Sequence, residues 1–361
     1  MCLERAGVVP LTVDISMTSL EQDGDFAQAL LPHITRISSL SLTECSSLEN
    51  MANFLPSTML NPTVLKLKAP HAAEIHLYPV LSNIKSLVEL KLSIYTVPFD
   101  EFIRFLESNP HLKILDLCIS FPSTPVLTTL ERGVSLPQLR RIALTCSAAT
   151  TRALLSSLLL TRGINIEVRE WDSGGDLTLC LPSPPTLIQD LLAPITTVKY
   201  LCHEGWLHLS GKNGSFSFYS AGQAISRNPR VFDLFDTGTV REFHLSFCDT
   251  GHLSPPLERL PALEAFVIYQ TGYHQGLSAL AEEPELCPSL KTIVFIDCFG
   301  FPIENLKAVL TKREHSNAAR LHRVVIANRT CDFPKHGLVT QLRMLVPRVD
   351  FMMGGELPEL L

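Results

Sequence analysis

No run of like charge and no basic stripe occurs along this chain, whose formal net charge is -6. Nucleic acid is therefore not an expected partner, because phosphate binding draws on clustered Lys and Arg. No stretch approaches the roughly 18 apolar residues of a membrane-spanning helix. The richest, Leu154 to Leu160, contains two serines and is too short, so no membrane partner is expected. The opening residues, Met1-Cys2-Leu3-Glu4-Arg5-Ala6, lack the apolar core of a secretory signal. The ten cysteines include no Cys-x-x-Cys, and reduced thiols in a cytoplasmic or nuclear protein are expected. Gly211-Lys212 lacks the upstream glycine of a phosphate-cradling loop, so no nucleotide cofactor is indicated. His203 and His208 are five residues apart, whereas two zinc ligands on one helix face need a spacing of four. Neither a metal nor any other cofactor is expected.

What the chain does have is a recurring frame. In Pro288 to Cys298, Leu290, Ile293 and Phe295 occupy positions 1, 4 and 6 of nine residues, and Cys298 closes the frame. That is the leucine-rich-repeat pattern, a short strand followed by a turn. It returns as Ile37, Leu40, Leu42 and Cys45, and as Val240, Phe243, Leu245 and Cys248. Position 4 falls at 40, 65, 90, 115 and 142, then at 243, 266, 293 and 324. The steps are 25, 25, 25 and 27, then 23, 27 and 31. All but the last lie within the roughly 20–29 residues of such repeats. Proline stands two residues before position 1 at Pro110, Pro137, Pro261 and Pro288, where it stops one element before the next strand begins.

The expected fold is α/β: a leucine-rich-repeat solenoid with a curved parallel sheet on its concave face and helices and loops on its convex face. One solenoid over residues 1–361 is expected, with a first run over 1–170 and a second over 236–361. Residues 171–235 read as an irregular insertion, since the phase breaks there. Leu177, Leu179 and Leu181 alternate like a strand, Leu187 to Leu192 reads as a helix, and Gly211-Lys212-Asn213-Gly214 signals a hairpin. The proline cluster Pro182-Ser183-Pro184-Pro185 leaves a true domain boundary as the alternative. Elsewhere, Phe102, Ile103, Phe105 and Leu106 form a helical stripe with Asp100 as its expected N-cap.

The chain resembles the leucine-rich-repeat region of the large fungal (basidiomycete-type) family of F-box proteins. The resemblance rests on the opening Leu3-Glu4-Arg5-Ala6-Gly7-Val8-Val9-Pro10-Leu11-Thr12-Val13 and on Pro137-Gln138-Leu139-Arg140-Arg141-Ile142-Ala143-Leu144 and Pro261-Ala262-Leu263. It implies repeats that select a substrate for a cullin-RING ubiquitin ligase. The family's F-box, which docks on the ligase's linker protein, is absent from the residues before Leu3. Linker docking is expected only if an F-box exists upstream.

A non-catalytic, monomeric protein-interaction scaffold is the expected function. Its candidate surface is the outward strand positions 3, 5 and 7. In the first run these bring Lys66, Lys68 and Lys91 beside Glu89 and Asp116, with Arg141 further along. In the second they supply His244 and an apolar group, Val267, Tyr269, Val294 and Ile296. That group reads either as an exposed partner patch or as a surface buried under the neighbouring insertion. The enzymatic alternative is a hydrolase built on Asp236-Thr237-Gly238 and Asp249-Thr250-Gly251, which resemble aspartic-protease turns. Those carboxylates are only 13 residues apart, and Asp, Thr and Gly are ordinary turn formers.

Overall fold

The structure is a computed structural model. It describes residues 8–16, 30–43, 62–69, 84–120, 133–170, 177–182, 186–201, 205–220, 229–246, 257–269, 273–298, 303–328 and 336–353. Cys45, Cys248, Asp249, His203 and the Ser183-Pro184-Pro185 run lie outside the described residues. The fold is α/β with mostly parallel strands, and the chain divides into two compact units at residues 173–185.

The first unit contains β1 (Leu11–Ser16), β2 (Ile37–Thr43), β3 (Val64–Ala69), β4 (Glu89–Thr96), α1 (Phe99–Glu107), β5 (Ile114–Ser120), β6 (Val134–Ser135), β7 (Arg141–Cys146), α2 (Ala148–Ser157), β8 (Leu158–Leu159) and β9 (Ile164–Glu170). Seven of these strands form a parallel sheet in the order β1-β2-β3-β4-β5-β7-β9, while β6 and β8 pair separately. The 25-residue step is visible as register: Leu40 pairs with Leu65, Leu65 with Leu90, Leu90 with Leu115, and Leu115 with Ile142. Alternate strand residues share a face, so this row and the row of Leu42, Leu67, Leu92, Leu117 and Leu144 are buried together. Position 1 is buried too, at Ile37, Leu87, Leu112 and Leu139.

One residue later the backbone makes a second ladder. The N–H groups of Thr63, Val88, Lys113, Arg140 and Asn165 donate to the carbonyls of Ser38, Thr63, Val88, Lys113 and Arg140 at 2.7–2.9 Å. Each link spans one step of the period. The buried Asn109 adds a cross-link: its Oδ1 accepts from the Leu87 N–H at 3.3 Å and its Nδ2 donates to the Phe105 carbonyl at 3.0 Å.

α1 buries Phe102, Ile103, Phe105 and Leu106, as its stripe predicts. Its N-cap differs from expectation. Pro98 holds that position and makes no side-chain cap bond, so Asp100 lies inside the first turn, where its charge suits the helix dipole. At α2 the Ser147 hydroxyl accepts from the Thr150 N–H at 3.2 Å.

The chain then forms α3 (Leu177–Cys180), where alternation predicts a strand. Leu177 and Leu181 are both buried while Leu179 between them is 44% exposed. Residues four apart share a helix face, so the leucine spacing suits a helical turn as well as a strand.

The second unit contains α4 (Thr186–Leu192), β10 (Ile195–Leu201), β11 (Trp206–Gly211), β12 (Gly214–Ser220), β13 (Glu242–Ser246), β14 (Ala265–Tyr269), α5 (Tyr273–Glu282), β15 (Thr292–Ile296), α6 (Ile303–Glu314), β16 (Arg323–Asn328), α7 (His336–Leu345) and β17 (Arg348–Met353). Its strand order is β12-β11-β10-β13-β14-β15-β16-β17. The two hairpin strands run antiparallel, and the pairs from β10–β13 to β16–β17 are parallel. The hairpin closes at the pair Gly211 and Gly214, and Gly211 has to be small because a Cβ there would sit 2.2 Å and 2.4 Å from the Pro194 and Leu192 carbonyl oxygens. The core row Val198, Phe243, Phe266, Ile293 and Val324 is in register, and the Phe243 and Phe266 rings stack with centroids 5.8 Å apart. The backbone ladder recurs: Arg241, Glu264, Lys291, His322 and Arg348 donate to Thr196, Arg241, Glu264, Lys291 and His322.

Three thiols extend this bonding across a period. Cys146, Cys287 and Cys298 are buried and lie 3.9, 3.3 and 3.6 Å from the carbonyls of Leu117, Leu257 and Ile268. Burial pushes each thiol up to about 12, so all three stay protonated. Cys298 thus has the small, weakly donating role expected at frame position 9. Arg313, 1% exposed, is held without a carboxylate partner among the described residues: its guanidinium donates to the carbonyls of Pro284, Leu286, Cys287 and Ala319 at 2.8–3.2 Å.

Candidate functional site

In the first unit the face opposite the leucine rows is polar and open. Register places Ser41, Lys66, Lys91 and Asp116 in one row across β2, β3, β4 and β5. Thr43, Lys68, Ser93 and Cys118 make the next. These two rows line a shallow groove of about 320 Å³. The structure therefore brings together the lysine cluster that the sequence predicts. Lys91 Nζ pairs with Glu89 Oε1 at 3.0 Å. Lys66 and Lys68 are exposed and have no carboxylate partner among the described residues. Arg141 lies further along, 3.5 Å from Glu167, and Glu167 also pairs with Arg169 at 2.8 Å. Glu167 and Arg169 belong to the same face and β9 is in register with β7, but the frame does not flag that strand because Gly163 stands at position 1 where leucine is expected.

The equivalent face of the second unit differs. At the hairpin end, register aligns Ser217, His208, Lys199 and His244 across β12, β11, β10 and β13. His244 is 1% exposed and its Nε2 is hydrogen-bonded to Glu242 Oε1. Its Nδ1 lies 3.1 Å from the Tyr269 hydroxyl, and the two rings stack at 5.9 Å. Burial lowers His244 below the usual imidazole value even beside Glu242, while the bond from His244 holds the Glu242 carboxyl below its own. One tautomer satisfies both contacts: a neutral imidazole donates from Nε2 to the carboxylate and accepts the tyrosine O–H at Nδ1. His208 shares a 2.7 Å hydrogen bond with Ser217 Oγ. Burial first, then the Lys199 charge and the neighbouring His244, push His208 down to about 4, so it too is neutral near pH 7. A serine paired with a neutral histidine resembles half of a hydrolase site. Both residues lie mid-strand in a paired hairpin, where backbone N–H groups are committed to the ladder rather than free to hold an oxyanion.

The apolar group next to this network is interior. Val267 and Val294 are fully buried, Ile296 is nearly so, and with Val325 and Ala327 they form a packed cluster against Tyr269 and Met352. The group is therefore buried and not an exposed patch, and the residues of this cluster come from the second repeat run rather than from the insertion at 171–235. Strand alternation separates the two faces of a sheet, but both faces of β14, β15 and β16 pack.

Asp236 is exposed and its Oδ1 accepts from the Gly238 N–H at 2.9 Å, capping the short turn before β13. That is the turn-forming use of Asp-Thr-Gly. Comparison with protein-family models and with curated proteins finds no match for this chain.

Proposed function

We propose that the chain is a leucine-rich-repeat solenoid acting as a non-catalytic protein-interaction scaffold. The open polar face of its first unit serves as the docking surface. The repeat reading is supported by the period-spanning backbone ladder at residues 38, 63, 88, 113, 140 and 165, which links β2, β3, β4, β5, β7 and β9 in one register. The docking reading rests on one contrast. The second face of β14 to β16 is packed, whereas the same face of β2 to β5 remains open around a groove with two lysines that have no carboxylate partner among the described residues. The role is the one that substrate-recognition repeats play in F-box proteins, with a protein substrate as the partner, in the cytoplasm or nucleus.

Blocking the groove tests this. Ser41→Trp combined with Ser93→Trp fills it from both sides without touching the leucine rows. The protein that co-purifies with the chain from its native cells should be lost from the variant, with unchanged far-UV circular dichroism. Retention of that partner by the folded variant would contradict the reading.

A further inference from the structure

We infer that the groove of the first unit takes an extended peptide segment bearing an acidic residue and, three positions away, a basic one. This rests on the docking-face reading and adds the partner's chemistry to it. Lys66 and Lys68 are on β3, an interior strand with β2 on one side and β4 on the other. Lysines often guard sheet edges against pairing, but an interior strand needs no such guard. Lys66 instead stands directly opposite Lys91, an unfavourable placement of like charge. Lys91 is compensated by Glu89 at 3.0 Å, whereas Lys66 and Lys68 have no carboxylate partner among the described residues. The hydroxyl-bearing Ser41 and Ser93 flank them in the same groove, while the Thr43 hydroxyl donates to the Ile15 carbonyl at 3.4 Å. An acidic side chain laid over β3 would receive two ammonium groups and neighbouring hydroxyl donors.

The second half of the pattern comes from Asp116. It is the register partner of Lys91 on β5, in the same row as Lys66 and two strands away. Strands lie about 4.7–4.9 Å apart, so the distance across the row from β3 to β5 is about 9.5 Å. In an extended polyproline-type segment, residues i and i+3 share a face and lie about 9.3 Å apart. An acidic residue over Lys66 and Lys68 therefore places a basic residue three positions on over Asp116. The acids of this face also argue against a polyanion. Glu89, Asp116 and Glu167 offset Lys91, Arg141 and Arg169 on the β4 to β9 side, so that side offers a nucleic-acid backbone no net positive charge.

The probe is a fluorescein-labelled proline-rich octapeptide containing Glu-Pro-Pro-Lys, read by fluorescence anisotropy against the full chain. Its counterparts contain Gln-Pro-Pro-Lys, Glu-Pro-Pro-Gln, Glu-Pro-Lys and Lys-Pro-Pro-Lys. The Glu-Pro-Pro-Lys peptide should bind about tenfold more tightly than either Gln counterpart or the shortened spacing, and the advantage should shrink in about 1 M salt. Lys66→Glu with Lys68→Glu should invert the preference toward Lys-Pro-Pro-Lys, a gain that an unfolded variant could not give. Arg241→Glu, on the second unit, should change nothing. Equal binding of the Glu and Gln peptides, or indifference to the Lys66 and Lys68 changes, overturns the inference. So does displacement of the peptide by a single-stranded oligonucleotide that binds more tightly. If neutral peptides bind equally well and Ser41→Trp with Ser93→Trp abolishes that binding, the docking face stands and the charge pattern falls. If no peptide binds, the charge pattern falls, and the tryptophan variant with the co-purified partner decides the docking face separately.

Discussion

Leu90 and Leu115 stand directly opposite each other on adjacent parallel strands, 25 residues apart in sequence, and both are fully buried. The pair links the period of the sequence to the spacing of the sheet. Removing one side of it leaves a cavity inside a row that extends on both sides. Leu115→Ala should therefore cost about 2–5 kcal/mol, measured by urea denaturation.

Much of the fold was legible because a strand needs only alternation and a period. Leu65, Leu67, Leu90, Leu92, Leu115 and Leu117 announce their buried face by spacing alone, and the proline before Leu112 or Leu139 marks where each strand starts. The helical turn at Leu177 was not legible, since leucines at every second position also place Leu177 and Leu181 on one helix face. The lysine groove could be read because each frame position has a fixed direction. The His208–Ser217 contact was hidden behind the hairpin, although the two-residue turn at Lys212-Asn213 makes those residues partners. Burial of Val267 and Val294 had a local signal in the apolar runs of Ala265–Tyr269 and Thr292–Ile296, but such a run does not say what covers the second face.

Ile296 illustrates that last point. Were its patch exposed, truncation would leave folding unchanged. Packed beside Val294 and Ala327, it should instead behave as core, with Ile296→Ala costing about 2–5 kcal/mol by urea denaturation. Tyr269→Phe removes only the hydroxyl bonded to His244 and should cost about 1 kcal/mol.

Arg313 should be intolerant of change. Its side chain satisfies four carbonyls around the loops that follow α5 and α6. Arg313→Ala strands them in a buried site and should cost about 3 kcal/mol or more. Arg313→Lys should not restore stability, because a single ammonium cannot reproduce the planar fork. Thermal denaturation of both variants checks this.

Stability should fall in mild acid. His208 is held down to about 4 in the folded chain, against an ordinary value of 6.5. Above about 6.5 it is neutral in both states and its contribution is fully present. As pH falls from there toward 4, the unfolded chain binds a proton that the folded chain resists, and stability is lost. Urea midpoints across pH 7 to 4 should decline, and His208→Gln should flatten part of that slope.

Lysine labelling of the chain in complex with its co-purified partner tests the central claim most directly. Acetylation followed by mass spectrometry compares each lysine with its rate in the free chain. Lys66 and Lys68 should be protected in the complex, while the exposed Lys113, Lys212 and Lys291 label at their free rates. Labelling of Lys66 and Lys68 at the free-chain rate, with protection elsewhere, would contradict the open face of the first unit as the docking surface.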